Sequence, residues 1–400
     1  MGKTTLRFAS RMQDLRASDI REILKVTQQP DVISFGGGLP ASELLPAAEM
    51  AELARDVLSD DGVRALQYAP TEGLQLFREL IADRMRRLWG LGCLADEVLV
   101  VSGSQQALDL TGKVFLDEGD VVLCESPTYL GAIGAFRAYR PTFVEVPTDD
   151  DGMVPAELEA RLSSLDRAKL IYVVPDFQNP SGRRWSIERR RKLAELASRF
   201  GVPVIEDAPY AELCFEGKPL PPVASFDDAC TVVYLGTASK ILSPGMRLGW
   251  VVADSDIVRR YVLAKQGVDL HTSSLVQLIA ARFMLEHDLD AHISRLRDVY
   301  RKRRDAMLAA LEEHFPKDVN FTRPGGGLFL WVELPQELDA RWLLERALEE
   351  RVAFVPGESF FPGGGHENTL RLNFSAMPED RIAEGIRRLG RVLSSVAVHA

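Results

Sequence analysis

The chain reads as an α/β protein: a mostly parallel seven-stranded sheet with one antiparallel strand and helices on both faces, plus a smaller α+β domain from the two chain ends. Three observations carry that expectation. Short β-branched runs alternate with amphipathic stretches through the middle of the chain, the pattern of right-handed βαβ crossovers. The runs are apolar almost without interruption, as strands buried on both faces must be. After Gly267 the character changes, and long helical patterns lead into isolated strands.

Taken in order, the strands of the main sheet are expected at Glu97–Val101, Val121–Glu125, Thr142–Val146, Lys169–Val174, Pro203–Glu206, Thr231–Leu235 and Leu248–Val252. Gln105–Phe115, Pro155–Leu165 and Ile187–Phe200 carry helical periodicity between them. Only Gly236–Arg247 separates the last two strands, and it contains the turn signal Ser243-Pro244-Gly245. A parallel return needs a longer crossover, so the last strand is expected to run antiparallel. Further on come helices Ser274–Glu286 and His292–Phe315, a strand Gly327–Glu333, a helix Ala340–Arg351, strands near Ala353–Val355 and Thr369–Phe374, and a final helix Asp380–Ser394. The division expected is an N-terminal segment 1–45, a large domain 46–290 and a small domain 291–400.

Composition narrows the function. At 400 residues, 46% hydrophobic and 26% charged, the chain is an ordinary globular one. Its net charge of −10 argues against nucleic acid as a partner, since that binding rests on neutralising phosphates. No apolar run approaches a membrane span, and no secretory leader is visible. Cys93, Cys124, Cys214 and Cys230 form no C-x-x-C pair, so neither a disulfide framework nor a metal site is expected, and a cytoplasmic location is.

Open α/β sheets bind ligands beyond the carboxyl ends of their strands. Ser102-Gly103-Ser104-Gln105-Gln106 follows the first strand as a polar turn opening a helix, a place that favours an anion. Tyr129 follows the second strand and Gln178-Asn179-Pro180-Ser181-Gly182 the fourth. Each alone is an ordinary cap, core aromatic or turn. The fifth strand closes on Glu206-Asp207, then Tyr210, and an acid there must be desolvated unless a donor or cation meets it. After the sixth strand come Thr237-Ala238-Ser239-Lys240 and then Arg247. A lysine just past a buried strand has a lowered pKa and a nucleophilic amine. Hydroxyls and arginine beside it supply donors for a phosphate. Acid, tyrosine, hydroxyls, lysine and arginine all fall at strand ends, which a set of solvated loops does not explain.

With these motifs the chain resembles the fold type I, class I aminotransferases that use pyridoxal phosphate, most of all the 2-aminoadipate and kynurenine aminotransferase branch. The resemblance runs from about Asp19 to the C-terminal helix. It adds Phe35-Gly36-Gly37-Gly38-Leu39-Pro40, Gln67-Tyr68-Ala69-Pro70-Thr71-Glu72-Gly73 and Arg371-Leu372-Asn373-Phe374 to the motifs above. It implies that Lys240 bonds to the cofactor aldehyde and, once displaced, carries the proton between substrate α-carbon and cofactor C4′. It further implies Asp207 against the pyridine nitrogen, Tyr210 and Asn179 on the ring oxygen, and Tyr129 on the ring face. Ser104, Gln105, Thr237, Ser239 and Arg247 would hold the phosphate, with Tyr68 reaching in from a neighbouring subunit of a homodimer. Arg371, helped by Asn179 and the backbone at Gly38, would grip the substrate α-carboxylate.

Arg21 matches a basic position of the N-terminal helix in that branch, which implies a partner for acidic substrate side chains; a solvated helix arginine is an equal reading. The activity implied is amino-group transfer between an L-amino acid and 2-oxoglutarate. 2-Aminoadipate is the first choice of donor, with branched-chain or aromatic amino acids next. A β-lyase or decarboxylase using the same cofactor is the alternative, and an aminotransferase-like regulatory domain is the non-enzyme one. The segment Tyr261–Leu275, with Lys265, Gln266 and His271, also looks like this branch, with no role beyond domain hinge and subunit contact.

Overall fold

A computed structural model describes residues 7–13 and 31–397. The main sheet contains β2 (Val98–Val101), β3 (Val121–Ser126), β4 (Thr142–Asp149), β5 (Gly152–Met153), β6 (Ala168–Val173), β7 (Val204–Asp207), β8 (Val232–Thr237) and β9 (Gly249–Val252). Their spatial order is β2-β9-β8-β7-β6-β3-β4-β5. Strands β4, β3, β6, β7 and β8 run parallel. β9 is antiparallel to both of its neighbours, β2 and β8. The sheet thus has eight strands where seven were expected, because the two-residue β5 turns back on β4 through Asp149 and Thr148.

Burial explains why the strands read so clearly. All four residues of β2, β7 and β9 and all six of β8 are buried. One large apolar core lies on one side of the sheet and extends through the rest of the molecule; a second, with Trp185 and Val204, lies on the other. The β8–β9 connection turns on Pro244–Met246 and on Arg247 in the left-handed region at φ 52°.

The helices are α1 (Ala47–Leu66), α2 (Gln75–Trp89), α3 (Ser104–Phe115), α4 (Leu130–Arg137), α5 (Pro155–Ser164), α6 (Ile187–Phe200), α7 (Ser255–Gln266), α8 (Ser274–Glu286), α9 (Leu289–His314), α10 (Ala340–Glu349) and α11 (Glu379–Ala397). A second sheet is antiparallel, in the order β10-β11-β14-β13, from Asn320–Phe321, Phe329–Glu333, Thr369–Asn373 and Val355–Pro356. Helices α9 and α11 pack together beside it. Strand β1 (Ile33–Ser34) pairs in parallel with β12 (Val352–Ala353), so the stretch around residue 33 is tied to the segment that follows α10. No described helix is long and apolar enough to cross a membrane.

Candidate active site

Side chains that follow β3, β6, β7 and β8 at the carboxyl edge of the main sheet, Tyr129, Asn179, Tyr210 and Lys240, lie close to Arg371 of the second sheet. β8 ends at Thr237, and three residues later the half-buried Lys240 directs its Nζ to the carbonyl of Gly38, 2.6 Å away. Burial pulls the Lys240 amine down to about 8, helped by the positive charges of Arg371 and Arg247. A fraction of it is therefore unprotonated near neutrality, the form that attacks carbonyl carbon.

Asp207 closes β7 and is 2% exposed. Its Oδ2 accepts a 2.8 Å hydrogen bond from the Tyr172 hydroxyl, while its Oδ1, equally buried, has no partner. Burial raises this carboxyl to about 7, against the opposing pull of the Tyr172 hydrogen bond. An orphaned buried acceptor costs roughly 1–3 kcal/mol, so the site is built for a donor that the protein does not supply.

Arg371 projects from β14 and is fully buried. Its Nη1 donates to Asn179 Oδ1 at 2.8 Å and its Nη2 to the Gly36 carbonyl at 2.6 Å. Its Nε has no partner. The guanidinium lies over Phe329, 4.3 Å from the ring centroid, with Phe360 at 5.3 Å. Burial lowers its pKa to about 10, so it stays charged at neutral pH without any carboxylate bound to it. Tyr210 meets Phe329 edge-on and sits against the Asn179 amide. The phenols of Tyr210 and Tyr129 are both pushed up, by burial first.

An anion cradle adjoins these groups. Gly103, at φ 84°, precedes α3, and no side chain caps that helix end. A Cβ on Gly103 would run into the Arg247 guanidinium, so only glycine lets the two approach. Thr237 Oγ1 lies 3.0 Å from Ser239 Oγ and accepts from the Ser239 backbone N–H at 3.1 Å. Ser104 opens α3, and Gln105 turns its amide to the Gly131 carbonyl at 3.0 Å.

The structure thus gathers Lys240, Asp207, Tyr210, Tyr129, Asn179 and Arg371 in one cluster, with Ser104, Thr237, Ser239 and Arg247 in the adjoining cradle. Gly38 uses its carbonyl on Lys240, and it is Gly36 that meets Arg371. Tyr68 stands apart, 78% exposed and edge-on to His271. Arg21 lies outside the described residues. Among those residues no cluster of His, Cys, Asp or Glu could hold a metal ion. Sequence reasoning missed Tyr172, because an aromatic inside an apolar strand looks like core; its spacing, one strand over from Asp207, was the available signal.

The arrangement fits pyridoxal phosphate. An unpartnered carboxylate oxygen matches a pyridinium N–H, an amine matches an aldehyde, and uncapped helix amides with an arginine match a phosphate. Residues 30–389 match the model of "Aminotransferase class I and II". The chain is 43% identical to the aromatic-amino-acid aminotransferase 1 of Thermococcus litoralis, covering 96% of this chain and 94% of that one. It is 46% identical to the 2-aminoadipate transaminase of Thermus thermophilus, covering 96% and 95%. The crystal structure of the α-aminoadipate aminotransferase LysN from Thermus thermophilus, complexed with N-(5′-phosphopyridoxyl)-L-leucine, superposes with a TM-score of 0.92 at 44% identity, covering 98% of both chains.

The chain therefore belongs to the class I and II aminotransferases. It is a fold type I transaminase that depends on pyridoxal phosphate.

Proposed function

We propose that this transaminase exchanges amino groups between 2-aminoadipate and 2-oxoglutarate, with aromatic or branched-chain amino acids as further donors. The buried Arg371 carries the proposal. A guanidinium that is fully buried, lacks a carboxylate partner and keeps its Nε free is suited to an α-carboxylate common to every amino acid and 2-oxo acid. The choice among donors is supported by two of the relatives, an aromatic-amino-acid aminotransferase and a 2-aminoadipate transaminase.

When bound, pyridoxal phosphate supplies an aldehyde that takes up the amino group and a ring that accepts electron density from the α-carbon. The protein's own residues would do the rest. Lys240 would hold the cofactor covalently and, once free, its Nζ would lift the proton from the α-carbon and return it at C4′. An amine with a pKa near 8 suits both directions of that transfer. Asp207 Oδ1 would accept from the ring N–H, with Tyr172 holding the other oxygen in place. Tyr210 and Asn179 would donate to the ring oxygen, and Tyr129 would cover a ring face. Ser104, Gln105, Thr237, Ser239 and Arg247 would bind the phosphate. Arg371 with Asn179 would set the substrate so that its α-hydrogen faces Lys240.

In this reading residues 46–290 bear the cofactor and residues 291–400 carry Arg371, while the N-terminal segment 1–45 contributes Gly36 and Gly38, which meet Arg371 and Lys240. The exposed Tyr68 would complete the cradle of a second copy, making the active unit a homodimer. Arg21 would meet the distal carboxylate of acidic substrates. Free, unpaired cysteines support a cytoplasmic location.

A panel of amino donors against 2-oxoglutarate tests the assignment. 2-Aminoadipate is expected to give the highest kcat/KM. A donor profile in which acidic side chains are rejected would remove both the substrate choice and the part given to Arg21.

A further inference from the structure

Behind the turn that opens α3 lies a charged network that the reaction leaves unexplained. Lys265, on α7, is 0% exposed. Its Nζ donates to Asp269 Oδ1 at 2.5 Å and to Gln106 Oε1 at 3.2 Å. The other oxygen of Asp269 accepts from Gln106 Nε2 at 2.7 Å and from Ser102 Oγ at 2.8 Å. Gln106 Oε1 in turn accepts the Ser102 backbone N–H at 2.7 Å. Ser102 Oγ also lies 3.3 Å from Thr272 Oγ1. The pair Lys265–Asp269 therefore holds both ends of Ser102, directly through its hydroxyl and through Gln106 at its backbone.

Ser102 is the residue before Gly103, whose close approach to Arg247 forms the anion cradle. A buried ammonium is costly to desolvate and is kept only where its donors are used. Here two of its three donors are spent on Asp269 and Gln106. None of the side chains in the network needs to touch a ligand for it to act: it determines where the first amides of α3 point.

We propose that Lys265 and Asp269 are positioning residues for the phosphate site, clamping the Ser102–Ser104 turn so that the α3 amides and Arg247 converge on one anion. The proposal rests on the reading that Ser104, Ser239 and Arg247 bind the cofactor phosphate.

The test compares pyridoxal phosphate with pyridoxal, which lacks the phosphate, titrated into apoprotein and followed by absorbance. In Asp269→Asn and Lys265→Met the dissociation constant for pyridoxal phosphate is expected to rise about tenfold, the loss of one charged hydrogen bond. Pyridoxal should bind as it does to the unaltered protein. A general loosening of the fold would weaken both ligands alike, and that result, or an unchanged affinity for pyridoxal phosphate, overturns the proposal. Should either buried-charge variant fail to fold, Ser102→Ala, which removes one hydroxyl only, carries the same comparison with an expected loss of about threefold. If the unaltered protein itself binds the two ligands equally, it is the phosphate-site reading that fails.

Discussion

The hydroxyl of Tyr172 donates to Oδ2 of Asp207 at 2.8 Å, while Oδ1 of the same carboxylate is buried with no partner. One oxygen is thus held and the other is left for a ring nitrogen. Because that hydrogen bond works against burial in raising the Asp207 pKa, Tyr172 helps keep the acid ionised. Tyr172→Phe should move the acid limb of the pH profile for cofactor absorbance upward by roughly one pH unit, the worth of one hydrogen bond to a charge. A profile that does not move would show that the tyrosine is packing alone.

Lys240→Ala should abolish the adduct that borohydride reduction fixes to the chain. Its turnover should fall at least about 100-fold, the usual contribution of a positioned acid–base group. Mass spectrometry of the reduced protein and 2-oxo acid formation check the two halves separately.

Arg371→Lys keeps the charge but loses the planar pair of donors that now meets Asn179 and Gly36. Roughly 10–100-fold higher KM values are expected for amino acid and 2-oxo acid alike, with the cofactor spectrum unchanged. Steady-state kinetics with both substrates decide this.

Three buried carboxyls, Glu125, Glu206 and Asp207, are each raised to about 7 by burial. Between their ordinary values near 4 and about 7, the folded apoprotein holds protons that the unfolded chain has released. Stability contributed by these groups is therefore present in full below pH 4 and is lost as pH rises through 7. Thermal melts of apoprotein should show a declining Tm from pH 5 to 8, and Asp207→Asn should flatten the slope.

Much of the main sheet could be read directly, because strands buried on both faces leave uninterrupted apolar runs such as Val98–Val101 and Val232–Leu235. The antiparallel β9 followed from the brevity of its connection. Helix α1 went unread: only Leu53, Val57 and Ala65 are buried along its length, and it bends at Asp61, so its periodicity is faint. Strand β5 is two residues long and has no pattern to show. Within the pocket, the residues at strand ends were legible because polar chemistry there has few structural excuses. Tyr172 and Asp269 were not, since a buried tyrosine resembles core and an acid four residues after a lysine resembles a solvated helix face; Lys265 stood out only through the resemblance of its segment, which gave it a hinge or subunit contact and no link to Ser102. Their meaning resides in contacts across 35, 159 and 167 positions of chain.

The pairing of Ile33–Ser34 with Val352–Ala353 has a consequence for biosynthesis. Gly36 and Gly38, whose carbonyls receive Arg371 and Lys240, sit immediately beyond that pairing, and the Gly36–Arg371 bond joins positions 335 apart. A nascent polypeptide halted before residue 352 has Lys240 to meet Gly38 but lacks both the strand that pairs with Ile33–Ser34 and Arg371. The Gly36–Arg371 contact must then wait until residue 371 has left the ribosome, whatever the order in which the central sheet assembles.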